Sequence, residues 1–203
     1  GLGPAAAHAY EAAAYGRAQA CGHVPALHAV LAPRVGLPGG ALILQEIAGR
    51  TPRVPHDLPT IALALAALHR LPLPPDAGRP PLMVEADPVA ATLARIEARA
   101  GALDAAGLKP AARAAIAAEL AWARSLSLDP DRPRPPLALI GSDTHPGNFL
   151  VDAAGRAWYL DLEKAAYGAA AIDLAPATLA TSTGWTPGLP PLTGTDLKAF
   201  LAA

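Results

Sequence analysis

Prolines cut this chain into short pieces: 23 of them are spread over 203 residues. Each removes a backbone donor and disfavours helix at the residue before it, so helices are expected to open or stop near one. Ala5 to Ala20 reads as a helix of good formers, with Tyr10, Ala14 and Arg17 at helical spacing, ended by Gly22 and Pro25. Two short strands follow, Leu27–Leu31 and Ala41–Glu46, joined by the turn-rich Pro33–Gly40 stretch. From Gly49 the pattern turns helical. Asp57 or Thr60 caps a helix carrying Ile61, Leu65 and Leu68, which stops before Pro72. Asp87-Pro88 is an N-cap with proline at the first helical position, and Val89, Leu93 and Ile96 share one face. Pro110 opens a third helix with Ile116, Leu120 and Ala123 inward, and Asp129–Pro136 is a loop.

A strand, Leu137–Ile140, and a polar loop come next. They lead to a hairpin of Phe149–Val151 with Trp158–Leu160 around Ala153–Arg156, where Gly155 supplies the turn's awkward backbone angle. Ile172–Ala180 and the segment from Thr195 read as helices. The plan is α+β: a small strand-containing part over residues 1–48, then a larger helical part over 49–203 with the hairpin embedded late.

Composition narrows the function classes. A formal net charge of −1 and no basic stripe give no pull toward nucleic acid or an anionic membrane. The apolar runs are Ala-rich and broken by Arg, Glu or Pro before the roughly 20 residues a membrane span needs. Cys21 is the single cysteine, which rules out an internal disulfide and fits a reducing compartment such as the cytoplasm. With His23 and His28 it lacks a fourth zinc ligand. Gly36-Leu37-Pro38-Gly39-Gly40 leads into a strand, with no Gly-Lys-Ser/Thr ending, and so reads as a hairpin turn and not a phosphate cradle. Trp122, Trp158 and Trp185 are expected as packing residues.

The chemistry sits in Gly141-Ser142-Asp143-Thr144-His145-Pro146-Gly147-Asn148 and Asp161-Leu162-Glu163. In an antiparallel hairpin, the residue before the first strand and the residue after the second lie at one end. With a four-residue loop, Asn148 and Asp161 are opposite each other. An amide oxygen and a carboxylate there suit a hard cation such as Mg²⁺. Asp143, five residues before Asn148, is placed to act as a base on an incoming hydroxyl. Phosphoryl transfer needs such a set. Asp173 is expected to brace the loop, His145 to pack within it, and Lys164 to be a solvated surface lysine.

With Pro146-Gly147 inside the loop, the stretch closely resembles the aminoglycoside phosphotransferase and choline kinase group, whose loop reads roughly His-Gly-Asp-x-His-Pro-x-Asn. Tyr167-Gly168 and Ile172-Asp173-Leu174-Ala175 resemble the segment after that family's metal Asp. Glu11–Tyr15 resembles its N-lobe helix, Leu42–Thr51 its strand and hinge, and Ala67-Leu68-His69 the end of its first C-lobe helix.

The resemblance implies a protein-kinase-like fold, with a partial N-lobe and hinge at 1–48 and a C-lobe at 49–203. It implies ATP and Mg²⁺ as cofactors, with Asp143 as catalytic base, Asn148 and Asp161 holding the metal, and the main chain at Glu46 and Ile47 meeting adenine. The partner is a small-molecule alcohol: an aminoglycoside, choline, a sugar or another. The family's His-Gly is here Gly141-Ser142. Its Gly-rich hairpin and strand lysine have no counterpart, since only ten residues precede Glu11 and the first lysine is Lys109. The expectation is a truncated kinase, inactive in this form, with a catalytically silent binding or regulatory module as the alternative.

Overall fold

The structure, a computed structural model, describes residues 3–99, 106–129, 131–179 and 191–203. They form two compact units, residues 1–84 with 137–203, and Glu85–Pro136.

In the first unit, α1 (Pro4–Ala18) starts with proline after an extended Gly3 and runs into a 3₁₀ turn closed by left-handed Gly22. It buries Tyr10, Ala14, Tyr15 and Ala18. Strands β1 (Leu27–Leu31) and β2 (Ala41–Leu44) form an antiparallel pair, as expected. Gly40 before β2 has φ 71°, and a Cβ there would lie 2.7 Å from the Leu31 carbonyl oxygen and 2.8 Å from the His8 ring. Only glycine fits that close approach.

Helix α2 (Leu58–His69) buries Ile61, Leu65 and Leu68 on the expected face. Asp57 precedes it but does not cap it. Its buried carboxylate instead takes Arg50 (2.5 and 3.1 Å), the Arg53 amide (2.6 Å) and His56 (2.9 Å), which together hold it well below the usual carboxylate range. Thr60 is no cap either; its hydroxyl donates to the Gly155 carbonyl at 2.7 Å and ties α2 to the hairpin turn.

The hairpin strands are β5 (Phe149–Asp152) and β6 (Ala157–Tyr159). β3 (Gly49–Arg50) adds to them in the order β3-β5-β6, while β4 (Leu137–Ile140) pairs with β7 (Ala166–Ala169). Sequence reading missed β3 and β7. The first is two residues long, and the second, Ala-Tyr-Gly-Ala, is buried throughout and has no alternation to read.

The hairpin register also differs from expectation by one residue. Asp152 N–H donates to the Arg156 carbonyl and Gly155 N–H to that of Asp152, both at 3.0 Å, so the loop has three residues and not four. Asp152 enforces this: its side chain accepts from the amides of Ala154 and Arg156 and from the Trp158 indole, with Gly155 left-handed at φ 79°. Phe149 therefore faces Tyr159, Asn148 faces Leu160, and Asp161 lies one residue beyond.

The core of this unit joins Tyr15, Ile61, Leu65, Phe149, Leu162 and Tyr167. Helices α5 (Ala171–Thr178) and α6 (Gly194–Ala202) complete it, α6 opened by a Thr193–Asp196 capping box.

In the second unit, α3 (Pro88–Glu97) is capped as expected, Asp87 accepting from the amides of Val89 and Ala90 at 3.0 Å. Helix α4 (Pro110–Leu128) turns Ile116, Leu120 and Ala123 inward only to half-burial. Ile96 and Trp122 are exposed, against expectation. Trp158, in the first unit, packs under the Arg156 guanidinium at 4.9 Å, and Trp185 lies outside the described residues. No described helix is long and apolar enough to cross a membrane.

Candidate active site

The loop from β4 to β5 stands on one buried carboxylate. Asp173, at the start of α5, is fully buried. Its Oδ2 accepts the Gly141 amide at 2.9 Å and His69 Nε2 at 2.8 Å; its Oδ1 accepts the Ser142 amide at 2.7 Å. Thr144, also buried, donates its hydroxyl to the Asp173 carbonyl. These bonds satisfy a carboxylate that could not stay buried without them, and they hold Ser142 at φ 64°, the one described non-glycine residue in left-handed backbone. The expected bracing role of Asp173 is thus met. His69 as its partner was not foreseen, and no local pattern links two residues 104 positions apart.

Within this frame, the Asn148 amide donates to the Asp143 carbonyl at 2.8 Å, and the Tyr159 hydroxyl reaches the same oxygen at 3.2 Å. Lys164 is exposed at the surface, as expected, but it is paired: its ammonium donates to Asp143 Oδ2 at 2.5 Å, a bond that raises its pKa. His145 packs in the loop as expected, Nδ1 accepting the Gly147 amide at 3.1 Å, with Nε2 3.8 Å from Asp143 Oδ1. Asp161 Oδ1 accepts the Glu163 amide at 3.3 Å, and the exposed Glu163 carboxylate lies 3.6 Å from the Lys164 ammonium.

Lys164 also lines a cavity of about 670 Å³, together with Glu11, Gly40, Ala41, Leu44 and Glu163. Asp143, Asn148 and Asp161 are not among its lining residues; Lys164 is the lining residue that bonds to Asp143. Burial, reinforced by repulsion from Asp161 and Glu163, raises the pKa of Glu11. Glu46 and Ile47 sit in the link between β2 and β3, outside the cavity's lining; their main-chain groups make none of the hydrogen bonds among the described residues.

A family model described as the phosphotransferase enzyme family, APH, matches residues 2–199. The chain belongs to this family. Its α+β, protein-kinase-like architecture is shared with solved structures. A choline/ethanolamine kinase family protein from Mesorhizobium loti has TM-score 0.62 and 19% identity, over 96% of this chain and 58% of that one. The choline kinase LicA from Streptococcus pneumoniae has TM-score 0.60 and 14% identity, over 96% and 60%. The phosphotransferase APH(2″)-IIia has TM-score 0.62 and 15% identity, over 97% and 67%. At these identities the likeness is one of fold. The chain spans about three-fifths of the length of the two choline kinase structures. Among curated proteins no match is found.

Two oxygen donors of this APH-family chain bear on a fit to Mg²⁺. With its amide nitrogen committed to Asp143, Asn148 keeps an amide oxygen that takes no hydrogen bond among the described residues. Asp161, a half-buried carboxylate, follows the same end of the hairpin. The described residues include no group of three or more His, Cys, Asp or Glu that could hold a metal. Two oxygen ligands nevertheless suit Mg²⁺, which takes phosphate oxygens and water for its other positions.

Proposed function

We propose that this chain carries the transfer site of an ATP-dependent kinase that phosphorylates a hydroxyl of a small molecule. The observation that carries the reading is the join of Asn148 to the Asp143 main chain at 2.8 Å, in a loop braced by Asp173, at the hairpin end that leads to Asp161. Asp143 is the base. The alcohol oxygen bonds to the γ-phosphorus while its proton passes to the Asp143 carboxylate; the bond from that phosphorus to the β-phosphate oxygen breaks, and ADP leaves. Lys164 must release Asp143 for this to happen, and its ammonium then lies within reach of the phosphates. Asn148 Oδ1 and Asp161 hold Mg²⁺, which neutralises phosphate charge when bound. The unpaired main chain at Glu46 and Ile47 meets the base of the nucleotide, with residues 1–48 as N-lobe and hinge and 49–203 as C-lobe. The fold-related APH(2″)-IIia was solved with GDP and kanamycin, which supports a nucleotide donor and a small-molecule acceptor. The single cysteine suits work in the cytoplasm.

A second reading, a silent kinase-like binding module, is favoured by the ammonium already seated on Asp143. Transfer from labelled ATP and GTP to a panel of alcohols, with the product of the complete gene, separates the two. Asp143→Ala should cut turnover by about 10³-fold or more with the fold intact; retained turnover removes Asp143 from the mechanism. The 203-residue chain itself should gain little thermal stability from Mg-ATP, because Lys164 and His8 are the only basic side chains among the described residues that line this cavity. A rise of several degrees would overturn that expectation.

A further inference from the structure

Position 141 has no room for a side chain. A Cβ there would lie 2.4 to 2.7 Å from Cε1, the hydroxyl and Cζ of Tyr159. Tyr159 is 2% exposed, stacks on Phe149 with ring centres 4.9 Å apart, and is fixed on β6 by its amide bond to the His23 carbonyl at 2.7 Å. The ring thus belongs to the hairpin, while its hydroxyl ends under the loop, 3.3 Å from the Gly141 carbonyl and 3.2 Å from that of Asp143.

Three candidate transfer groups meet on this residue. Asp143 accepts its hydrogen bond, Asn148 shares the same acceptor and precedes its stacking partner, and Asp161 follows it by two residues, just past the end of β6. We propose that Tyr159 is the positioning residue of the transfer site, its ring filling the space at Gly141 and its hydroxyl setting Asp143 and Asn148 through the Asp143 carbonyl. This rests on the kinase reading for its catalytic consequence and on geometry alone for the contact.

Tyr159→Phe separates the two, since it keeps the ring and removes the donor. In the 203-residue chain labelled with ¹³C at the Asp143 carbonyl, the variant should shift that resonance upfield while distant carbonyls stay in place. An unmoved resonance overturns the contact and with it the proposal. In the product of the complete gene, kcat should fall about tenfold with KM for ATP unchanged, the effect of losing roughly one hydrogen bond's worth of orientation. A lowered melting midpoint with unchanged kcat assigns Tyr159 a purely structural role and also overturns it. Gly141→Ala, which drives the ring away from the opposite side, should produce the same kcat loss; full activity there refutes the packing argument. If the unaltered protein transfers no phosphate at all, the kinase reading fails, and the carbonyl shift still decides whether Tyr159 holds Asp143.

Discussion

The loop from β4 to β5 has a floor and a mouth, each built on an aspartate paired with a side-chain nitrogen. At the floor, Asp173 is fully buried, its histidine partner is 13% exposed, and its two oxygens bind the main chain of Gly141 and Ser142. At the mouth, Asp143 is 28% and Lys164 55% exposed, and the ammonium is bound to carboxylates alone, Asp143 at 2.5 Å and Glu163 at 3.6 Å. Distance alone would rank the mouth pair stronger. Burial reverses the ranking, because desolvated groups cannot fall back on water and long exposed side chains can. The floor is built to stay, and the mouth to exchange partners.

Removing the floor should have the largest effect. Asp173→Ala strands the amides of Gly141 and Ser142 and leaves Ser142 without support for its left-handed backbone. A loss of about 3–5 kcal/mol in urea unfolding is expected. A loss under about 1 kcal/mol would mean that the loop does not depend on this carboxylate, and the comparison would collapse. Lys164→Met should cost no more than about 1 kcal/mol by the same measurement. A cost as large as that of Asp173→Ala would make Lys164 a structural strut and not a cation free to leave.

The same contrast explains what could be read from the chain in advance. Local chemistry was legible: Pro88 and Pro110 open helices as their fixed backbone angle favours, Asp87 caps α3, and Asp143 and Asn148 share one loop. The floor was half legible, since Asp173 was expected as a brace but the partner His69 comes from the far end of another helix. The Tyr159–Gly141 fit and the β4–β7 pair join residues remote in sequence through shape, and shape leaves no periodic trace. The register error had a local cause, the Asp152 side chain choosing a three-residue loop, and was in principle readable from Asp152 and Gly155 together.

The smallest effect concerns the acidic wall near the mouth. Burial, Asp161 and Glu163 raise the pKa of Glu11 above its ordinary value of 4.5. A carboxyl whose folded pKa is raised favours the folded state fully only below that ordinary value, and the contribution is lost as pH climbs through the higher folded one. Above that folded value the charged Glu11 is therefore a liability in this chain. Glu11→Gln should raise the thermal midpoint at pH 7 by a margin worth less than about 0.5 kcal/mol, given the screening of a half-exposed group. The gain should fade as pH drops toward 4.5. A gain that persists below that value would point to altered packing of α1 and not to charge. A loss at pH 7 would mean that a cation already neutralises the wall, and the mouth would then be less open than its exposure suggests.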